Sequence, residues 1–132
     1  MTKKLNCVML IDDDADDNFF HQIVLRETNI TDNIQVVTSG FEALKYLTSE
    51  SVIPDLIFLD INMPKMNGWE FLQEYNKLNI AQKAKIIIIM LTTSLNPADE
   101  AKANNINDVV AFKSKPLTAD ALEEILNKYF TD

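Results

Sequence analysis

The chain has 132 residues, of which 47% are hydrophobic, and it carries a formal net charge of -8. That length suits one domain around one core, so we predict a single domain over residues 1–132 with no separate output domain. The negative charge argues against nucleic acid as a partner, because binding to phosphate backbones depends on clustered Lys and Arg. A partner with a basic surface patch is favoured instead.

The sequence also bears on the compartment of the protein. The start, Met1-Thr2-Lys3-Lys4, shows no signal-peptide pattern, and the longest apolar run, Ile86 to Leu91, is too short to cross a bilayer. The single cysteine, Cys7, is typical of a buried thiol in a reducing compartment. We therefore expect a cytoplasmic protein with no membrane partner.

Short apolar runs predict the strands. Leu5 to Ile11, Asp55 to Leu59 and Ile86 to Leu91 are rich in Ile, Val and Leu and nearly continuous, as is typical of strands covered on both faces. Ile34 to Thr38 and Val109 to Phe112 are two weaker candidates. The sequence therefore predicts up to five strands.

Helical periodicity and helix start signals lie between these runs. Apolar residues recur with helical spacing in three segments: Phe19, Phe20, Ile23 and Val24; Phe71, Leu72 and Tyr75; and Leu122, Ile125, Leu126 and Tyr129. The predicted caps are Ser39 with Glu42, Asn67 with Glu70, Asn96 before Pro97, and Thr118. A strand followed by a helix, five times over, predicts a three-layer α/β sandwich with a parallel sheet and right-handed crossovers.

Acidic residues follow two of the predicted strands, and the carboxyl edge of such a sheet is where ligands bind. Asp12 and Asp13 follow the first run and Asp60 follows the third, so neighbouring strands would bring them together. Two carboxylates about 4 Å apart repel by roughly 4 kcal/mol at an effective dielectric constant near 20, so the cluster needs a counter-charge. Mg²⁺, which prefers oxygen ligands, could supply it. If Asp60 were phosphorylated, Lys115 could neutralise the transferred group and the Thr92 hydroxyl could bond one of its oxygens.

This pattern resembles the response-regulator receiver domain of bacterial two-component signalling, as in chemotaxis-type single-domain receivers. The matching residues occur in the right order along essentially the whole chain: Asp12-Asp13, Asp60 within Asp55-Leu56-Ile57-Phe58-Leu59-Asp60-Ile61-Asn62-Met63-Pro64, Gly68, Thr92 and Lys115-Pro116. A pattern with this many points is specific, whereas Asp12-Asp13 alone would be weak.

The resemblance implies a flavodoxin-like (βα)5 fold with strand order 2-1-3-4-5, and a phosphoryl group accepted on Asp60 from a histidine kinase or a histidine phosphotransfer protein. It implies that Asp12, Asp13, Asp60 and the backbone carbonyl of Asn62 hold Mg²⁺. It also implies that Lys115 pairs with Asp60 or its phosphate, across a cis bond to Pro116.

The same resemblance implies a switch and an output surface. Thr92 and Phe112 occupy the positions whose side chains are coupled in the family, so phosphate would draw the Thr92 hydroxyl inward and let Phe112 turn. The face around Phe112 would then bind an unknown downstream protein, and whether phosphorylation also produces a homodimer stays open. Asn62 and Ser94 are expected to tune the dephosphorylation rate.

Other functions are weighed against this one. The alternative is a protein-interaction module of the same fold that does not use phosphate. A Mg²⁺-dependent phosphohydrolase is disfavoured, because Asn62 cannot donate a proton where haloacid-dehalogenase-type phosphatases have an acid. We therefore predict a signalling domain that catalyses at most its own phosphorylation and dephosphorylation.

Two further interpretations concern the first helix. Asp14, Asp16 and Asp17 are interpreted as favourable charges at its positive end, without a role in the site. The single histidine, His21, is interpreted as a surface or semi-buried structural residue far from the strand ends.

Overall fold

The computed structural model describes residues 4–49, 52–78, 86–93, 96–106 and 108–130. The described residues form five strands and five helices that alternate along the chain. The strands are β1 (Val8–Ile11), β2 (Ile34–Val37), β3 (Leu56–Asp60), β4 (Ile87–Thr92) and β5 (Val109–Ser114). The helices are α1 (Ala15–Thr28), α2 (Gly40–Thr48), α3 (Gly68–Asn76), α4 (Pro97–Asn104) and α5 (Ala119–Tyr129).

The five strands form one parallel sheet in the order β2-β1-β3-β4-β5, which confirms the predicted fold and strand order. One apolar core lies between the sheet and helices α2, α3 and α4. A second core lies on the opposite face, against α1 and α5. Because β1, β3 and β4 are covered on both faces, their residues are almost all buried, as their continuous apolar sequences predict.

The predicted helix caps are present. Asn67 and Glu70 form a complete capping box at α3, Asn96 caps α4 ahead of Pro97, and Thr118 caps α5. At the cap of α2, only one of the two predicted hydrogen bonds is present. Ser39 accepts from the Glu42 amide at 3.1 Å as predicted, but the Glu42 carboxylate bonds the backbone and hydroxyl of Thr38 instead of returning to Ser39.

The apolar pattern of α1 predicts a helix correctly but the wrong buried face. Phe19 is 66% exposed and Phe20 is 44% exposed. The buried residues of α1 are Asn18, His21, Val24 and Leu25. The first two are polar and contact the edge of the sheet that carries the site: Asn18 Nδ2 donates to the carbonyl of Asp12 at 2.8 Å, and His21 Nε2 accepts from the amide of Leu117 at 3.2 Å.

The strand boundaries shift towards that edge. Asp60 and Thr92 are the last residues of β3 and β4, so both belong to strands where the sequence pattern had placed them just beyond. The first predicted strand is shortened, since Leu5 forms only an isolated bridge to Thr31. The two site residues are thereby fixed by strand pairing and not by loop conformation.

An irregularity between β4 and β5 decides which way Phe112 faces. The register shifts between Ile88 and Ile89, so Val110 is skipped and lies 37% exposed. Phe112 then packs against the same core as Met90, on the α2–α4 side of the sheet.

None of the described helices is long and apolar enough to cross a membrane.

Candidate functional site

Strand register brings the predicted site residues to one edge of the sheet. Ile11 of β1 lies opposite Leu59 of β3, which places Asp12 and Asp60, one residue further along, side by side. On the other side of β3, Thr92 at the end of β4 lies opposite Ser114 at the end of β5. The carboxyl ends of four neighbouring segments therefore meet at one site.

Three carboxylates form the acidic part of this site. One side-chain oxygen from each of Asp12, Asp13 and Asp60 lies within 4.8 Å of the others. Asp12 and Asp60 are 4% and 7% exposed, whereas Asp13 is exposed. Two of the three charges are thus shielded from water and repel one another strongly.

Lys115 provides the positive charge within the described site. Its side chain is 8% exposed, and its Nζ atom lies 2.7 Å from Asp12 Oδ2 and 3.1 Å from Asp60 Oδ1. The backbone amide of Lys115 donates to the carbonyl of Thr92 at 2.7 Å, and the Lys115–Pro116 bond is cis, as the resemblance implied. The lysine is therefore held by its backbone as well as by its ammonium group.

The environment changes the pKa of both charged partners. Burial and the nearby charge of Asp12 raise the pKa of Asp60 to about 6, although Lys115 acts in the opposite direction. Burial alone would lower the pKa of Lys115, but hydrogen bonds to Asp12 and Asp17 and the charges of Asp12 and Asp60 outweigh it, so that pKa is raised. The lysine stays charged, and Asp60 is the member of the cluster with a costly ionisation.

Asp17 corrects one interpretation made from the sequence. Asp14 does cap α1, since its Oδ1 atom accepts from the amides of Asp16 and Asp17. The Asp17 carboxylate, however, accepts a hydrogen bond from Lys115 Nζ at 2.8 Å. The interpretation that Asp17 has no role in the site is therefore wrong. Helical spacing from the other site carboxylates could not have placed it there, because Asp12 and Asp13 lie before α1, which begins at Ala15 after the Asp14 cap.

His21 is also nearer to the site than predicted. It is 2% exposed, and its Nε2 atom accepts a hydrogen bond from the amide of Leu117, two residues after Lys115. Burial, and then the charge of Lys115, lower the pKa of His21, which suits a neutral ring that accepts through Nε2. The structural role is supported, but the residue is fully buried and anchors the segment that carries Lys115.

Three further predicted residues lie at or near this edge. Thr92 is 3% exposed at the end of β4, and Phe112 is half-buried on the neighbouring strand. Asn62 is exposed, two residues after Asp60. Ser94 lies outside the described residues.

The donor set suits a hard divalent cation. Three carboxylates within 4.8 Å of one another offer only oxygen ligands, which Mg²⁺ prefers, and the exposure of Asp13 leaves room for the waters that Mg²⁺ commonly keeps. Asp12 already uses both of its oxygens, one for Lys115 and one for the amide of Asp14 at 2.9 Å. A carboxylate oxygen has more than one lone pair, so these bonds do not prevent metal coordination.

Comparison with known proteins decides the family. The sequence model described as "Response regulator receiver domain" matches residues 8–127. The chain belongs to the response-regulator receiver family. A two component response regulator from Cytophaga hutchinsonii of known structure is 40% identical, with a TM-score of 0.89 over 96% of this chain and 98% of that one.

Receiver relatives occur in proteins of very different length. Two-component response regulator 24 of Arabidopsis thaliana is 33% identical over 91% of this chain and 81% of its own length. The sensor histidine kinase CheAY of Helicobacter pylori is 28% identical over 92% of this chain, but the match spans 14% of that kinase. The chain spans 8% and 53% of the length of two further curated relatives that it matches. In the kinase and in these two relatives, the shared part is the receiver domain and not the whole protein.

Proposed function

We propose that this receiver accepts a phosphoryl group on Asp60 from a histidine kinase or a histidine phosphotransfer protein, in a Mg²⁺-dependent reaction. The observation that carries the proposal is the buried contact between Lys115 and the paired carboxylates of Asp12 and Asp60. Such an arrangement is costly for folding alone, since buried charges are expensive to desolvate. It suits a group whose negative charge grows during the reaction.

The chemistry follows from the three charged elements. A carboxylate oxygen of Asp60 attacks the phosphorus of the donor and forms an O–P bond, while the P–N bond to the donor imidazole breaks and its electron pair stays on the nitrogen. When bound by Asp12, Asp13, Asp60 and the carbonyl of Asn62, Mg²⁺ would neutralise charge on the phosphoryl oxygens. Lys115 would orient and neutralise another oxygen, and the Thr92 hydroxyl would donate to the third.

The output belongs to the face formed by α4, β5 and α5. β5 is an edge strand of the sheet, so this face is open to a partner. Phe112 packs on the same side of the sheet as Met90, two residues before Thr92. Movement of the Thr92 hydroxyl towards phosphate would open space for Phe112 and change that face. Charge favours a downstream protein with a basic patch, since α5 exposes Asp120, Glu123 and Glu124.

The proposal is tested by intact-protein mass after incubation with a small acyl phosphate, with and without Mg²⁺. We expect wild type to gain one phosphoryl group only when Mg²⁺ is present, and Asp60→Asn to gain none. Asp32→Asn is the matched control, because Asp32 is an exposed aspartate paired with Lys4 and distant from the sheet edge that carries Asp60. It should gain the phosphoryl group as wild type does.

Three results would contradict the proposal. A gain of mass in Asp60→Asn equal to that of wild type would place the acceptor elsewhere. A gain independent of Mg²⁺ would exclude the metal role. No gain in folded wild type, with either the acyl phosphate or a phosphorylated histidine phosphotransfer protein as donor, would favour an interaction module that does not use phosphate.

A further inference from the structure

Asp17 of α1 is a carboxylate at the site that the acceptor chemistry above does not use. Its Oδ2 atom lies 2.8 Å from Lys115 Nζ, closer than the 3.1 Å between that nitrogen and Asp60 Oδ1. The 3.1 Å separation is also within hydrogen-bonding range, so the three N–H donors of the ammonium group face Asp12, Asp17 and Asp60. Asp60 therefore shares the lysine with two other carboxylates.

A phosphoryl group on Asp60 would compete for these bonds. Because the three N–H donors of the ammonium group already face three carboxylates, it can bond a new, strongly negative acceptor only by releasing one of them. The side chain of Asp12 is 6% exposed, whereas that of Asp17 is 35% exposed. Asp17 is the partner that is cheaper to release, because its carboxylate can be hydrated when the lysine leaves.

We infer that Asp17 is a positioning residue that holds Lys115 in the resting protein and competes with a phosphoryl group on Asp60 for its ammonium. The inference rests on the proposed function, since it requires a phosphoryl group at Asp60. Without the Asp17 charge, the lysine would bind the phosphoryl group without first losing its contact with Asp17. Asp17 would thus lower the affinity of the site for a phosphoryl group.

The inference is tested by titrating the protein with beryllofluoride, a phosphoryl analogue, at saturating Mg²⁺, and measuring the dissociation constant by calorimetry. Asp17→Asn keeps the shape of the side chain and removes its charge. Asp16→Asn is the matched control: it removes the same charge from the same helical turn, and within the described residues the ion pairs of Lys115 are with Asp12, Asp17 and Asp60.

We expect Asp17→Asn to bind the analogue about three- to fivefold more tightly than wild type, the range of a partly exposed ion pair, and Asp16→Asn to change binding less than about twofold. Asp17→Asn should also unfold at a slightly lower midpoint than Asp16→Asn, because the resting protein loses the Lys115 contact that the analogue would otherwise displace. A structural role for Asp17 alone would lower its midpoint and would not tighten binding.

A second pair of variants distinguishes the Asp17–Lys115 contact from a general effect of removing a negative charge near the site. In a Lys115→Met background, Asp17→Asn should bind the analogue no more tightly than Asp16→Asn, because no ammonium remains to be released. A gain that persists without Lys115 would overturn the inference, and so would equal binding by the two variants in the Lys115 protein. If wild type does not bind the analogue with Mg²⁺, the proposed function fails and the inference fails with it.

Discussion

At the scale of single residues, Asp60 is buried and lies beside two other carboxylates. Within the described residues, its one cationic partner is the ammonium group of Lys115, which also contacts Asp12 and Asp17. The pKa of Asp60 is therefore raised to about 6, from an ordinary value of 3.8. Ionised Asp60 costs the folded state on the order of 3 kcal/mol, at about 1.4 kcal/mol per pKa unit.

Asp60→Asn should for this reason stabilise the metal-free protein, in a pH-dependent way. Between about pH 4 and pH 6 the folded wild type keeps a proton that the unfolded chain has lost, so its free energy of unfolding falls as the pH rises. We expect the variant to exceed wild type by roughly 1–3 kcal/mol at pH 8 and by much less at pH 4. Urea unfolding with a metal chelator measures the two free energies of unfolding. A difference between them that is larger at pH 4 than at pH 8 would contradict the raised pKa of Asp60.

The same scale shows what could be predicted for the site. Asp12, Asp13 and Asp60 were found because each follows a run that the sequence marks as a strand. Asp17 and His21 could not be assigned this way, because their roles depend on the distance between α1 and the segment after β5. That distance is set by packing between elements nearly 100 residues apart in sequence, and no local pattern encodes it.

At the scale of elements, α3 packs closely against the end of β3. Gly68 is its first residue, and the Gly68 amide donates to the carbonyl of Ile61 at 2.8 Å. A Cβ atom on Gly68 would lie 2.8 Å from the carbonyl oxygen of Asp60 and 3.0 Å from Ile61 Cα. Both neighbours are backbone atoms, so the start of α3 positions the acceptor directly.

Gly68→Ala should consequently lower the free energy of unfolding by about 1–3 kcal/mol and slow phosphorylation of Asp60. Gly40→Ala is the matched control, because Gly40 is also the first residue of its helix and its Cβ atom would meet the side chain of Met66. A methionine side chain can rotate away, so we expect a cost below about 1 kcal/mol and an unchanged rate. Chemical unfolding and the mass assay measure both quantities, and equal costs would contradict the argument.

Element type could be read from the sequence more fully than element orientation. The caps at Asn67, Asn96 and Thr118 were predictable because capping involves neighbouring residues only. The exposure of Phe19 and Phe20 was not, because apolar spacing alone does not say which stripe of α1 meets the sheet. The register shift that exposes Val110 was hidden too, since Val109 to Phe112 reads as an ordinary strand.

At the scale of the whole molecule, the site connects the two faces of the sheet. Lys115 follows β5 and is anchored through Leu117 to α1, on one face, while Phe112 packs into the core on the other. The strand that leads directly into Lys115 therefore also carries the proposed switch residue. Strand order could be taken from the family resemblance, but the face on which Phe112 packs required the observed register.

Lys115→Ala should separate metal binding from switching. The three carboxylates remain, so we expect Mg²⁺ binding to be retained, but the NMR shift at Phe112 on adding Mg²⁺ and beryllofluoride should be lost. Lys113→Ala is the control, because Lys113 lies on the same strand and pairs instead with Glu124 at 3.9 Å. An unchanged Phe112 shift in Lys115→Ala, or its loss in Lys113→Ala, would contradict the coupling.

The central claim is that Asp60 is the residue that carries the phosphoryl group. The most direct measurement is to phosphorylate the wild-type protein with an acyl phosphate and Mg²⁺, reduce it with borohydride, and map its peptides by mass spectrometry. Borohydride converts an aspartyl phosphate to homoserine and leaves free aspartate intact. We predict homoserine at position 60 and unreduced aspartate at positions 12, 13 and 17. Homoserine at any of those three positions, with aspartate retained at 60, would contradict the account.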